Sequence, residues 1–159
     1  MYISLYRRYR PQTFSDMVGQ SAAVGVLMES LREGSLGHAY LFSGPRGCGK
    51  TSAARLVAKS LDCLNRKDDC EPCGVCENCR AIAAGEHLDV IEIDGASNRG
   101  IGEIRDLKSH VNLKPLSAAY KVYIIDEVHM LTEQAFNALL KTLEEPPSNV
   151  VFLLATTEP

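Results

Sequence analysis

A glycine-rich stretch at residues 44–51 constrains the fold more than any other part of the chain. It reads Gly-Pro-Arg-Gly-Cys-Gly-Lys-Thr and fits G-x-x-x-x-G-K-[S/T] at all four fixed positions. It follows the apolar run 39–43, which we interpret as a buried strand, and it precedes a segment whose apolar residues fall on one helical face. A strand, a glycine loop and a helix are the context that a P-loop requires. A glycine turn followed by an exposed lysine, the alternative, explains this context poorly.

The residue types of this loop suit phosphate. Gly44, Gly47 and Gly49 let successive backbone N–H groups turn inward toward phosphate oxygens at a helix N-terminus. Lys50 is predicted to reach the β- and γ-phosphates of a nucleotide, and the Thr51 hydroxyl is predicted to be a magnesium ligand. The complete predicted phosphate site is Gly44, Pro45, Arg46, Gly47, Cys48, Gly49, Lys50, Thr51 and Ser52.

Composition and charge set the class of protein. The 159 residues, 45% of them hydrophobic and 23% charged, are enough for one domain with its own core. Arg7, Arg8 and Arg10 are followed by Pro11 rather than by an apolar stretch, so the N-terminus does not resemble a signal peptide. We therefore expect a cytoplasmic protein without membrane contact. The net charge of −3 argues against a dedicated basic nucleic-acid binder, although a local basic surface within an assembly remains compatible with it.

Apolar strands alternate with helical segments along the chain. We predict strands at 39–43, 88–94, 121–126 and 150–155. We predict helices at about 21–33, 50–61, 101–111 and 132–144, with a short helical turn before Gly85. Near-continuous apolar strands that alternate with helices indicate a parallel sheet covered on both faces, and hence a three-layer α/β fold.

Two strand ends carry polar residues where a ligand would bind in such a sheet. The third strand ends in Asp126-Glu127, the Walker B form, in which Asp126 is predicted to hold hydrated magnesium and Glu127 to polarise the attacking water. The fourth strand ends in Thr156-Thr157, whose hydroxyls can hydrogen-bond that water or the γ-phosphate. The run from Asp126 to His129 also matches the D-E-x-H box of helicases, which supplies a rival function.

Residues 62–80 contain five of the six cysteines and few core-forming residues. Three of them have C-x-x-C-x-x-C spacing: Cys73, Cys76 and Cys79. In a cytoplasmic chain this pattern favours a metal site over disulfides. Tetrahedral zinc needs a fourth ligand, either Cys63 or Cys70. Cys70 would give an even spacing, which also suits an iron–sulfur cluster but crowds a single ion. We prefer Cys63, which would tie the insert to the preceding helix.

Several stretches together resemble one family. They are RPQTF (10–14), VGQ (18–20), HAYLFSG (38–44), CGVCENC (73–79), IDEVHML (125–131), FNALLKTLEEPP (136–147) and FLLATT (152–157). On these residues the chain closely resembles the N-terminal ATPase domain of the gamma/tau subunits of bacterial DNA polymerase III clamp loaders, which are AAA+ proteins. The resemblance covers essentially all 159 residues, and the cysteine-rich insert makes it specific.

The resemblance implies ATP-driven opening of a sliding clamp and its loading onto primed DNA within a pentameric assembly. The implied partners are the other clamp-loader subunits, the clamp, primed DNA, and the replicative polymerase and helicase through C-terminal parts outside this chain. The implied cofactors are ATP, magnesium and zinc. The zinc ligands of the family correspond to Cys63, Cys73, Cys76 and Cys79, which leaves Cys70 as an extra. Thr157 corresponds to sensor 1. The residues implied to surround adenine and ribose are Tyr6, Arg7, Arg10, Pro11 and Val18.

The family also sets expectations for domain boundaries and surfaces. Its chains continue with a last core strand and a helical lid, so residues 1–159 are expected to be an AAA+ core cut before both, with 62–80 as its zinc-binding insert. Such a piece is expected to be inactive alone. Leu113 and Leu116 lie in a loop expected to face the clamp, and Asn98 and Arg99 are expected to meet DNA phosphates. The rival functions are the first domain of a D-E-x-H helicase and an ATP-binding scaffold that does not hydrolyse ATP.

Overall fold

The computed structural model describes Phe14 and residues 21–34, 37–44, 49–65, 71–95, 120–144 and 149–157. Its helices are α1 (Ser21–Glu33), α2 (Lys50–Asp62), α3 (Glu77–Ala84) and α4 (Glu133–Glu144). Its strands are β1 (Ala39–Ser43), β2 (Val90–Asp94), β3 (Lys121–Asp126) and β4 (Val150–Thr156), and a short 3-10 turn (Val128–Met130) follows β3. In this part of the chain, no helix is both long and apolar enough to span a bilayer.

The four strands form one parallel sheet in the order β1-β4-β3-β2. β4, the last strand along the chain, pairs with β1 on one side and with β3 on the other. Because the strands are parallel, Gly44 after β1, the turn after β3 and the end of β4 all lie at the carboxyl ends of the strands. The P-loop and the Walker B pair are therefore separated only by the width of β4.

Alternating side chains of the two central strands contribute to cores on opposite faces of the sheet. One core includes residues of α1, α2 and α3 and these strand residues: Val122, Ile124, Val151 and Leu153. The other includes residues of the 3-10 turn and α4 and these strand residues: Tyr123, Ile125, Phe152 and Leu154. The rings of Tyr123 and Phe152 stack with their centroids 5.3 Å apart. The prediction of a parallel sheet with helices on both faces is confirmed.

The outer strands are less buried than the sequence predicts. On β1, Tyr40 and Phe42 are partly buried against the α2 side, but Leu41 is 63% exposed, so the interpretation of 39–43 as a buried strand is wrong. β2 begins at Val90, and the preceding Leu88 is 69% exposed. Each of these strands has only one paired neighbour among the described residues, and fewer side chains therefore cover it than cover β3 and β4.

Two helices also differ from expectation. The short turn predicted before Gly85 is the eight-residue helix α3, which ends at Gly85 in a left-handed conformation at φ 74°. On α4, Leu139 is buried as predicted, whereas Phe136 and Leu140 are 37% and 41% exposed. α4 thus carries apolar side chains that its packing on the sheet leaves partly exposed.

Candidate functional site

The loop after β1 joins the sheet to the N-terminus of α2. Gly44 donates its N–H to the carbonyl oxygen of Thr156 at 3.2 Å, which attaches the start of the loop to the end of β4. Gly49 precedes α2 with φ 92°, a conformation that side chains other than glycine rarely adopt. Among the described residues, no side chain caps the N-terminus of α2. A helix N-terminus of this kind presents backbone N–H groups and a partial positive charge, which together bind anions.

Lys50 and Thr51 begin α2 and reach in different directions. The Nζ of Lys50 donates to the carbonyl oxygen of Gly44 at 2.8 Å, so its ammonium group lies next to the residue that follows β1. The hydroxyl of Thr51 donates to Oδ2 of Asp126 at 3.0 Å, although the two residues are 75 positions apart. A hydroxyl and a carboxylate oxygen are ligands that magnesium prefers, so the pair fits that ion.

The backbone of Glu127, directly after β3, is left-handed, with φ 52° and ψ 45°. Non-glycine residues seldom adopt this conformation unless their surroundings impose it. Gly95, which follows β2, donates its N–H to the carbonyl oxygen of Asp126 at 2.7 Å. A Cβ at Gly95 would lie 2.3 Å from the carbonyl oxygen of Glu127, so only glycine fits there. Gly95 was not predicted from the sequence, because a lone glycine after a strand belongs to no motif.

The side chain of Glu127 reaches the ring of His129. Its Oε2 lies 3.3 Å from Nε2 of His129, and Nδ1 of the same ring lies 2.8 Å from the Thr156 hydroxyl. From the sequence, His129 had no role beyond the helicase-like spelling. Thr156 was predicted only as one of two strand-end hydroxyls that could contact water or phosphate, and the other, Thr157, is half-buried after β4. These contacts join two strand ends, and no sequence spacing could have indicated them.

The predicted zinc ligands come together at the C-terminal end of α2 and the start of α3. The Sγ atoms of Cys63, Cys73, Cys76 and Cys79 all lie within 4.8 Å of one another. The Sγ atoms of Cys73 and Cys79 are 4.0 Å apart, and those of Cys63 and Cys76 are 3.9 Å apart. Zinc–sulfur bonds of about 2.3 Å in a tetrahedron place sulfurs about 3.8 Å apart, so this set fits a zinc ion.

Backbone N–H groups point at three of these sulfurs. Cys73 donates to Sγ of Cys63 at 3.3 Å, Cys76 to that of Cys73 at 3.2 Å, and Cys79 to that of Cys76 at 3.4 Å. A hydrogen bond from the N–H of Val75 is the largest influence that lowers the pKa of Cys73 to about 6. Burial raises the pKa of Cys79. Backbone N–H donors and a bound cation both stabilise thiolates. These contacts therefore suit cysteines that bind a metal ion.

Polar contacts attach the cluster to the rest of the domain. The side-chain amide of Asn78 donates to the carbonyl oxygen of Asp62 at 2.7 Å, and its Oδ1 lies 3.0 Å from Nε2 of His87. The N–H of Tyr120, just before β3, donates to Oδ1 of Asp62 at 3.0 Å. Burial raises the pKa of Asp62 to about 7, although the Tyr120 hydrogen bond opposes the rise.

A further contact joins the cysteine-rich insert to Phe14. Oε1 of Glu71 accepts the backbone N–H of Phe14 at 2.8 Å, and both residues are buried. The ring of Phe14 belongs to the core that α1 and α2 form. Other predicted residues lie outside the described part of the chain: Tyr6, Arg7, Arg10, Pro11, Val18, Pro45, Arg46, Gly47, Cys48, Cys70, Asn98, Arg99, Leu113 and Leu116.

Comparison of the sequence with known proteins finds DNA polymerase III subunits. A family model described as "DNA polymerase III, delta subunit" matches residues 19–159. Over 158 residues, the chain is 56% identical to DNA polymerase III subunit tau of Bacillus subtilis and 55% identical to the tau subunit of Escherichia coli. Both matches cover 99% of this chain but only 28% and 24% of the relatives, so the chain spans about a quarter of their length.

Solved structures agree with the fold. A DNA polymerase III gamma subunit-related protein of Thermotoga maritima is 28% identical, with a TM-score of 0.52, and the match covers 82% of this chain and 39% of that one. The RuvB Holliday junction branch migration motor of the same organism is 19% identical, with a TM-score of 0.56, over 94% of this chain and 42% of that one. At such identity the second likeness concerns the fold alone, which is of the AAA+ P-loop type.

Proposed function

Because the chain belongs to the DNA polymerase III delta subunit family and is similar to tau subunits along 99% of its length, we propose that it is the ATP-hydrolysing core of a clamp-loader gamma/tau subunit. The contact between Thr51 and Asp126 carries the proposal, because it joins a P-loop to a Walker B strand across β4. The whole protein would load a sliding clamp onto primed DNA together with other loader subunits.

Each group at the carboxyl ends of these strands has a proposed role in ATP hydrolysis. Backbone N–H groups of the loop hold phosphate oxygens, and the ammonium group of Lys50 moves from the Gly44 carbonyl to the β- and γ-phosphates. Thr51 and Asp126 hold magnesium, which when bound neutralises phosphate charge. Glu127 orients the attacking water and accepts its proton. Thr157 hydrogen-bonds the γ-phosphate as sensor 1.

The remaining assignments complete the proposal. Residues 1–159 form the AAA+ core, and residues 62–80 form an insert in which four thiolates hold a structural zinc ion. The N-terminal arm, with Tyr6, Arg7, Arg10, Pro11 and Val18, surrounds the nucleoside. Asn98 and Arg99 meet DNA phosphates, and the loop with Leu113 and Leu116 meets the clamp.

A loading assay tests the proposal. The full-length protein, assembled with its partner subunits, is mixed with clamp, primed DNA and ATP, and the clamp retained on DNA is measured. We expect Lys50→Ala to lower the loading rate at least about 100-fold, because phosphates lose a direct charge contact. The matched control is Lys141→Ala, which removes an exposed lysine on α4 and should load normally. Normal loading by Lys50→Ala would contradict the proposal.

A further inference from the structure

Three side chains from two strand ends form a continuous chain of polar contacts. The Thr156 hydroxyl contacts Nδ1 of His129 at 2.8 Å, and Nε2 of His129 contacts Oε2 of Glu127 at 3.3 Å. Thr156 ends β4, whereas the other two residues follow β3. The threonine is 5% exposed, and the side chains of Glu127 and His129 are 22% and 20% exposed. The contacts thus run from a buried strand end to a partly open carboxylate.

The chemistry of the three groups favours one arrangement of their protons. An ionised carboxylate only accepts hydrogen bonds, so a tautomer with the proton on Nε2 of His129 suits its contact with Glu127. In a neutral ring Nδ1 then accepts, and the hydroxyl of Thr156 donates to it. Each group has the partner that it needs, and the imidazole ring is held at both nitrogens.

Backbone geometry alone does not place the carboxylate of Glu127. Gly95 and the left-handed conformation fix its main chain, but three side-chain torsions remain. Ordering such a side chain costs conformational entropy. A ring anchored on the buried end of β4 restricts these torsions before any nucleotide binds. A general base that is misplaced by about 1 Å can cost about 100-fold in rate.

We propose that His129, anchored by Thr156, is a positioning residue that holds the Glu127 carboxylate in place for ATP hydrolysis. The inference rests on the proposed function, because it concerns the same reaction. It also gives β4 a second role. Thr157 follows Thr156 directly, so a displacement at the end of β4 when phosphate is engaged reaches Glu127 through the His129 ring. The histidine touches neither nucleotide nor water in this role.

Steady-state ATP hydrolysis by the full-length protein in its assembled complex tests the inference. We expect His129→Ala and Thr156→Val to lower kcat by about 10- to 100-fold while the Kd for ATP changes less than about threefold. His129→Gln offers a carbonyl acceptor and an N–H donor at a similar separation, and Thr156→Ser keeps the hydroxyl. Both should recover at least half of the lost activity on a logarithmic scale. The double variant should be no worse than either single one, because both break the same chain of contacts.

Two reference variants distinguish failure of the proposed function from failure of the positioning role. Thr142→Val removes another buried threonine hydroxyl, on α4, and should keep the kcat of the wild type. Glu127→Gln marks the rate without a general base. If the wild-type complex does not hydrolyse ATP, the proposed function fails. If it does, and Glu127→Gln is inactive while His129→Ala and Thr156→Val stay within twofold of wild type, only the positioning role is overturned. The positioning role is also overturned if His129→Ala and Thr156→Val lower kcat and Tm, and His129→Gln and Thr156→Ser recover none of the lost activity.

Discussion

At the scale of residues, Asp126 and Glu127 are neighbours whose side chains have separate partners. Asp126 completes β3 and reaches Thr51, and its Oδ1 also accepts the N–H of Glu127 at 2.9 Å. The left-handed backbone then turns Glu127 toward His129. The two adjacent carboxylates therefore contact different partners. Their divergence suits one of them to magnesium and the other to the attacking water.

Gly95 provides the residue-scale prediction. Gly95→Ala places a Cβ 2.3 Å from the carbonyl oxygen of Glu127, so the peptide between Glu127 and Val128 must shift. We expect kcat for ATP hydrolysis in the assembled complex to fall at least about tenfold, and the free energy of unfolding of the chain to fall by about 1–3 kcal/mol. Turnover assays and denaturant unfolding measure the two effects.

Gly25 offers the matched control. It lies in α1, and a Cβ added to it would have no atom within 4 Å. Gly25→Ala should therefore keep activity and raise the free energy of unfolding by about 0.4–1 kcal/mol, because alanine loses less backbone entropy on folding. If Gly95→Ala behaves like Gly25→Ala, the tight turn is not what positions Glu127.

The sequence indicated the motif residues of the candidate site but not the residues that support them. Lys50, Thr51 and Asp126 belong to motifs whose spelling follows from phosphate and magnesium chemistry, and the structure brings Thr51 and Asp126 into contact. Gly95 and Thr156 support the site through contacts between strands that are distant in sequence. Such contacts depend on strand order and register, which a single sequence does not reveal.

At the scale of elements, α2 connects the two candidate sites. Its N-terminus receives the P-loop, and Cys63 follows its last residue. Arg55, midway along it, forms a two-pronged ion pair with Glu92 on β2. A 13-residue helix is about 20 Å long, so the cysteine cluster lies about that far from the phosphate loop. At that distance the cluster is too far from the start of α2 to contact a phosphate bound there, which suits the proposed structural role.

The cysteine cluster provides the element-scale prediction. Elemental analysis of the purified protein should find one zinc ion per chain, and Cys79→Ser should lower zinc content and Tm, because three thiolates bind the ion less tightly than four. Cys70→Ser is the matched control and should keep the metal. Retention of zinc in Cys63→Ser together with its loss in Cys70→Ser would contradict the ligand assignment.

The central strands were easier to predict than the outer ones. The inner residues of β3 and β4 are mostly apolar and are buried because both faces of the sheet are covered, and the strand bounds agree with prediction to within one residue. β1 has similar composition, yet Leu41 is exposed. Apolar character alone does not distinguish an edge strand from a central one, because burial depends on what pairs with the strand.

At the scale of the whole molecule, the geometry of the candidate nucleotide site depends on the position of β4. β4 lies between β1 and β3, so its pairing brings the P-loop and Asp126 to opposite sides of one strand. Gly44 and His129 both contact Thr156 at its end. The proposed phosphate site is thereby connected, through β4, to the group proposed to activate water.

Separating nucleotide binding from hydrolysis tests this account most directly. In the full-length protein within its complex, Glu127→Gln should bind ATP with a Kd within about threefold of wild type, because the phosphate-binding groups are intact, and should lose at least about 100-fold in kcat. Glu133→Gln, an exposed change at the start of α4, should alter neither quantity. Turnover by the Glu127→Gln complex at a near wild-type rate would contradict the account.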